Sequence, residues 1–90
     1  MERLQIKVYG LVQGVSYRYF VKKEAEYHGL VGTVKNLDDG TVKVVAEGVK
    51  NNLDLFLATI SQGSDYSEIG NVETIWSKAT GGFRDFRLIY

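Results

Sequence analysis

The spacing of apolar residues changes period within the first thirty positions, and this limits the chain to folds that set a strand and a helix back to back. Leu4, Ile6 and Val8 alternate with Gln5, Lys7 and Tyr9, as in a strand with one buried face, and Gly10 ends the alternation. Tyr17, Phe20, Val21, Ala25 and His28 then recur at helical spacing up to Gly29, which suits the C′ position of a helix. Between the two periods lies GLVQGVSYR, with two glycines and no alternation. The opening therefore reads as strand, glycine loop, helix.

The remaining periods continue the pattern. Leu30 to Leu37 reads as a second strand and Thr41 to Glu47 as a third, with Asp38-Asp39-Gly40 turning the hairpin between them. Asn51 or Asn52 is expected to cap a second helix, whose Leu53, Phe56, Leu57 and Ile60 form one apolar stripe closed by Gly63. A polar loop from Gly63 to Asn71, without proline and expected to be mobile, leads to a fourth strand through Val72, Thr74 and Trp76. A last strand alternates through Phe86, Leu88 and Tyr90. The order β-α-β-β-α-β is the split βαβ arrangement, in which right-handed crossovers place both helices on one face of an antiparallel sheet. The expected fold is α+β, a two-layer α/β sandwich. Strands one and two, as parallel partners of a crossover, end on the same edge of the sheet, so Asn36 is expected to face the glycine loop.

Composition narrows the function. Ninety residues with 44% hydrophobic side chains suit one domain, 1–90, with one site. Eleven basic and eleven acidic side chains cancel, so no overall field draws the molecule onto nucleic acid or an anionic membrane, and any anion recognition is local. There is no cysteine, hence no disulfide framework and no thiolate nucleophile or ligand, and no signal peptide or spanning stretch is seen. A soluble, cytoplasmic monomer with no cofactor and no metal is the expectation.

A loop that leaves a strand and enters a helix presents free backbone N–H groups at the positive end of the helix, and glycine lets that backbone approach a ligand. Arg18, at the junction, adds a planar charged fork able to grip two phosphate oxygens. These features describe a phosphate cradle, although glycine spacing alone is equally consistent with a plain turn and a solvated arginine.

The segment GLVQGVSYRYF resembles the acylphosphatase signature, in which Val-Gln-Gly-Val is followed by a variable residue, an aromatic and an arginine. The stretch HGLVGTVKNLDDGTVKVVAEG is similar to the family's second signature, with Asn36 at its asparagine position. Together they cover the first half of the chain. Ser16 stands at the variable position, Tyr17 replaces the commoner phenylalanine, and Thr33 stands where many relatives carry an aromatic. The resemblance implies a ferredoxin-like fold and hydrolysis of a small acyl phosphate to a carboxylate and inorganic phosphate without a metal. It further implies that backbone amides of Gln13, Gly14, Val15, Ser16, Tyr17 and Arg18 hold the phosphate, that Arg18 neutralises it, and that the Asn36 amide orients the attacking water. Phosphoryl transfer asks chiefly for positioning and charge stabilisation. A carboxylate leaving group, whose conjugate acid has a pKa of ~4, needs little help from a general acid.

Other readings are weaker. His28 suits a helix C-terminus, Asp38 and Asp39 suit a turn better than a metal site, and Trp76 with the tyrosines lacks the basic partners of an RNA-binding sheet. The alternative function is a non-catalytic phosphate- or carbamoyl-phosphate-binding module, resembling the acylphosphatase-like domain of larger hydrogenase-maturation proteins.

Overall fold

Seven elements carry the apolar periods of the chain: β1 (Glu2–Leu11), α1 (Tyr17–Tyr27), β2 (Val31–Asn36), β3 (Val42–Gly48), α2 (Lys50–Gln62), β4 (Glu68–Lys78) and β5 (Phe86–Ile89). They are seen in a computed structural model that describes residues 1–90. The strands form one sheet in the order β4-β1-β3-β2-β5. β1 is antiparallel to β3 and β4, and β2 is antiparallel to β3, as a split βαβ pair requires. The fold is a ferredoxin-like α+β sandwich.

Two expectations about the sheet need correction. β5 runs parallel to β2, so the sheet is mixed; β5 is reached by a segment crossing from the far edge, not by a hairpin that would reverse its direction. β1 and β2 run in the same direction but share no ladder, because β3 is inserted between them. Their C-terminal ends do lie on one edge.

Alternation decides the core. Leu4, Ile6 and Val8 of β1 share a face with Val42, Val44 and Ala46 of β3, and this face buries Tyr17, Val21 and Ala25 of α1 and Leu53, Phe56 and Ile60 of α2. Removing a ring such as Phe56, which packs edge-on to Phe86 with centroids 6.3 Å apart, would cost roughly 3–5 kcal/mol.

β4 is longer than its alternating stretch suggests. Glu68 to Asn71 contain Gly70 and Asn71, poor strand formers, yet they pair with Tyr9 to Leu11 across a bulge. Gly10 makes this possible: its φ is 130°, and a Cβ there would collide with the Glu68 carbonyl oxygen. α2 begins one residue before the expected asparagine caps. Val49 is its N-cap, with no side-chain cap, and Leu53 N–H closes the first turn on Val49 O at 3.0 Å. β3 pairs through Gly48, so the helix must start at once to turn Leu53 inward, which leaves Asn51 and Asn52 inside the first turn.

The crossing segment, residues 79 to 85, is held by a buried carboxylate. Glu47, 2% exposed, accepts Thr80 N–H at 2.8 Å, Thr80 Oγ1–H at 2.9 Å and Gly81 N–H at 3.0 Å. Burial alone would raise its pKa, but these donors and the nearby Arg3 outweigh it and hold the carboxyl below its ordinary value.

Candidate functional site

β1 ends where the sheet edge gathers the end of β2, the start of β3 and the end of β5, and the glycine loop sits on that edge. Val12 is fully buried and roots the loop in the core, while Val15 packs against the core from outside. Between and beyond them the backbone turns left-handed twice, at Gly14 (φ 74°) and at Ser16 (φ 63°). Ser16 is the chain's one non-glycine residue with positive φ, a conformation that costs about 1 kcal/mol or more and persists where surrounding contacts impose it.

Those contacts begin with the next residue. Tyr17, 1% exposed, donates its hydroxyl to Ile60 O at 2.7 Å, pinning the start of α1 to the end of α2. Burial pushes the phenol's pKa far up, so it stays protonated and keeps its hydrogen bond to Ile60 at all physiological pH. Ser16 gives α1 no side-chain cap, no acidic residue lies in the first turn, and the first helical bond is Phe20 N–H to Ser16 O. The N–H groups ahead of that bond are therefore left at an uncompensated positive helix end.

Arg18 lies at this end but reaches across to β5. Its Nη1 donates to Ile89 O at 3.0 Å and its guanidinium carbon lies 4.9 Å from the centroid of the Tyr90 ring. One donor of the fork is engaged, and Arg18 lines a cleft of about 320 Å³ together with Val12, Gly14, Ser16, Tyr17, Tyr19 and Leu88. Anchoring by a carbonyl and an aromatic face fixes the fork's plane without neutralising its charge.

Asn36 is the last residue of β2, opposite Val42 in the ladder with β3. Its neighbour Lys35 is the register partner of Ile89, so the strand position that receives Arg18 lies one residue from Asn36. The Asn36 side-chain oxygen is buried and accepts no hydrogen bond from the protein. Buried amide oxygens are normally paired, so this one stands out on the sheet edge.

Gln13 links the two halves. Its Nε2 donates to Leu37 O and to Thr41 O, both at 2.8 Å, on the turn that follows Asn36. That turn is stiff: Asp39 accepts Thr41 N–H at 3.1 Å and pairs with Lys7 Nζ at 3.1 Å. The Thr41 hydroxyl and N–H, then Lys7, lower the Asp39 carboxyl to about 2. Asp39 thus serves the turn.

Of the residues singled out from sequence, Gly14, Ser16, Tyr17 and Arg18 line the cleft, Val15 turns to its outer side, Gln13 reaches from the loop to the β2–β3 turn, and Asn36 ends β2 just before that turn and does not line the cleft. Three participants escaped sequence reading: the Gln13 side chain as a link, the Ile89 carbonyl and the Tyr90 ring. No local signal marks them, since Arg18 and Ile89 are 71 positions apart.

Comparison with known proteins places the whole chain in one family. A family model described as acylphosphatase matches residues 4–88. A Bacillus licheniformis protein described as acylphosphatase is 44% identical over 90 residues, covering 100% of both chains. The crystal structure of acylphosphatase from Bacillus subtilis superposes with a TM-score of 0.96 at 40% identity over 100% of both chains. Full-length HypF in its phosphate- and nucleotide-bound form matches with a TM-score of 0.90 at 26% identity; 99% of this chain corresponds to 12% of that one.

Proposed function

The chain belongs to the acylphosphatase family, and from that premise we propose how its own residues carry the hydrolysis of acyl phosphates. The loop amides from Gln13 to Arg18 and the Arg18 guanidinium hold the phosphoryl group in the cleft at the start of α1, and the Asn36 amide orients the attacking water. The water oxygen bonds to phosphorus as the bond from phosphorus to the acyl oxygen breaks, and the electron pair leaves with the carboxylate. The water proton passes to a phosphate oxygen. Fixed donors around the equatorial oxygens meet the transition state without having to reorganise, which is where electrostatic catalysis gains most.

The observation that carries this reading is that the uncapped start of α1, Arg18 and the end of β2 gather on one sheet edge, with Arg18 held on Ile89, whose register partner Lys35 precedes Asn36. The Asn36 amide supplies a donor for the water on the same sheet edge as backbone N–H groups that favour an anion. The same reading takes the chain as a single domain, 1–90, working as a cytoplasmic monomer on a small substrate with no nucleic-acid partner. No helix is long and apolar enough to cross a membrane.

The test is hydrolysis of benzoyl phosphate in the presence of EDTA. Wild type is expected to retain its activity with the chelator. Arg18→Ala should lose phosphate inhibition together with turnover, whereas Asn36→Ala should keep phosphate inhibition and lose about 100-fold or more in kcat. Full turnover by Asn36→Ala would overturn the assignment of the water. A wild type that binds phosphate but hydrolyses nothing would make the chain a phosphate-binding module, a reading favoured only by its likeness to one part of the longer HypF chain.

A further inference from the structure

Both helices pack on one face of the sheet, so the other face is left to solvent except where residues 79 to 85 cross it. The alternation that buries Val34 and Val44 turns Lys35 and Lys43 onto this open face. The ladders place Lys43 directly opposite both Lys35 of β2 and Lys7 of β1. Like charges directly opposite on neighbouring strands destabilise a sheet. Lys7 is relieved by Asp39, 3.1 Å away, whereas Lys35 and Lys43, both exposed, form no ion pair.

The positive charge continues toward β5. Thr33 is opposite Arg87 in the parallel ladder, and with Arg84 and Asp85 these two line a groove of about 300 Å³ between the crossing segment and the sheet. Arg87 gives its Nε to Asp85 at 3.0 Å, and Arg84 forms no ion pair. Four cations, Lys35, Lys43, Arg84 and Arg87, thus surround Thr33 with one carboxylate, Asp85, among them. The other carboxylates of this face are engaged elsewhere: Glu47 on Thr80 and Gly81, Glu73 on the Tyr9 hydroxyl at 2.8 Å. In a chain whose charges cancel overall, this is a local excess of positive charge.

We infer that the open face binds a linear oligophosphate, laid from Lys43 across Lys35 into the groove of Arg84 and Arg87. The cations spread from β3 to β5, two strand spacings of ~4.8 Å, or about 10 Å, which is farther than one phosphate group reaches. Guanidinium forks grip phosphate oxygens in pairs, and the lysines add point charges along the chain. Phe83 is the one apolar residue of the groove, so an apolar side chain of an acidic peptide finds little to hold it. The cleft at the start of α1 lies on the helix side of the sheet, so this site is separate from it and does not rest on the hydrolase reading.

The experiment is calorimetric titration with sodium tripolyphosphate at low salt, on wild type, Lys43→Gln, Arg87→Gln, Lys23→Gln and Arg18→Ala. Arg18→Ala should keep a tripolyphosphate site. Lys43→Gln and Arg87→Gln should each weaken it about fivefold, while Lys23→Gln, on α1, should bind like wild type. Affinity should fall as salt is raised. Binding that disappears in Arg18→Ala and survives in Lys43→Gln would put the ligand in the cleft and overturn the site. Single-stranded DNA binding more tightly than tripolyphosphate would overturn the ligand class. Thermal melts check the premise: Lys43→Gln removes a repulsion, so at low salt it should melt no lower than wild type. A marked fall would show that the lysines are balanced within the fold and would overturn the inference.

Discussion

Replacing Gln13 with alanine tests whether the loop and Asn36 form one rigid unit. The substitution removes two hydrogen bonds of 2.8 Å, to Leu37 O and Thr41 O. A typical intramolecular hydrogen bond contributes about 0.5–1.5 kcal/mol net, so the pair is worth roughly 1–3 kcal/mol. The lower part of that range applies, because neither carbonyl is left bare: Leu37 O still accepts Gly40 N–H at 3.2 Å and Thr41 O still accepts Leu37 N–H at 2.9 Å. A loss of about 1–2 kcal/mol corresponds to a melting midpoint lower by roughly 5–15 °C in a domain of this size. Gln13→Glu should cost more, since a carboxylate cannot donate and would face two carbonyl oxygens. The functional expectation is sharper. Arg18 is anchored separately, to Ile89, so inhibition by inorganic phosphate should change little while kcat falls as Asn36 loses its fixed distance to the loop. Thermal melts, kcat on benzoyl phosphate and phosphate inhibition, measured on the same preparations, check all three. A Gln13→Ala protein that melts with wild type and turns over at the wild-type rate would refute the link.

The other predictions concern groups whose surroundings set the sign. Glu47 has a folded pKa below its ordinary value of 4.5, so the stability it adds is fully present above pH 4.5 and is lost as the pH falls through its folded value. Acid titration of the unfolding midpoint should therefore show a decline below about pH 4.5 that is smaller in Glu47→Gln, and an unchanged acid limb in that variant would count against the clamp. At neutral pH the same variant should be less stable by roughly 1–3 kcal/mol, because an amide cannot accept all three donors of the crossing segment. Asn36→Ala, by contrast, removes a buried oxygen with no protein partner, so urea unfolding should place its stability within about 1 kcal/mol of wild type despite the loss of turnover. A large destabilisation would make Asn36 a structural residue.

How much of this was legible in the sequence depends on how far apart the interacting residues are. Both helices and the core faces of β1 and β3 follow from periods of 3.6 and 2, which are local, and the glycine loop follows from the break between them, whereas the alternation through Val72, Thr74 and Trp76 of β4 leaves Thr74 and Trp76 exposed. The extension of β4 through Gly70 and Asn71 was not legible, because it depends on β1 supplying a glycine where the two backbones meet. The parallel direction of β5 depends on a crossing segment whose anchor, Glu47, lies more than thirty positions away and looks from sequence like an ordinary strand carboxylate. Asn51 and Asn52 illustrate the reverse error. They are good caps by residue type, but the phase of Leu53 against the core fixed where the helix begins.

The site follows the same rule, and the rule explains why its loop is stiff. The motif places donors along one short segment, but a left-handed turn at Ser16 is not held by its own residue preference. The fold holds it from three sides: Gln13 to the β2–β3 turn, Tyr17 to the end of α2, and Arg18 to the end of β5. Each tie spans at least 24 positions, so none exists before distant parts of the chain are brought together. The loop amides proposed to meet the phosphate are thus oriented by the completed core, and the cost of fixing them is borne by folding instead of by a ligand. The strained, uncapped helix start at Ser16 is thus kept by contacts made elsewhere in the fold.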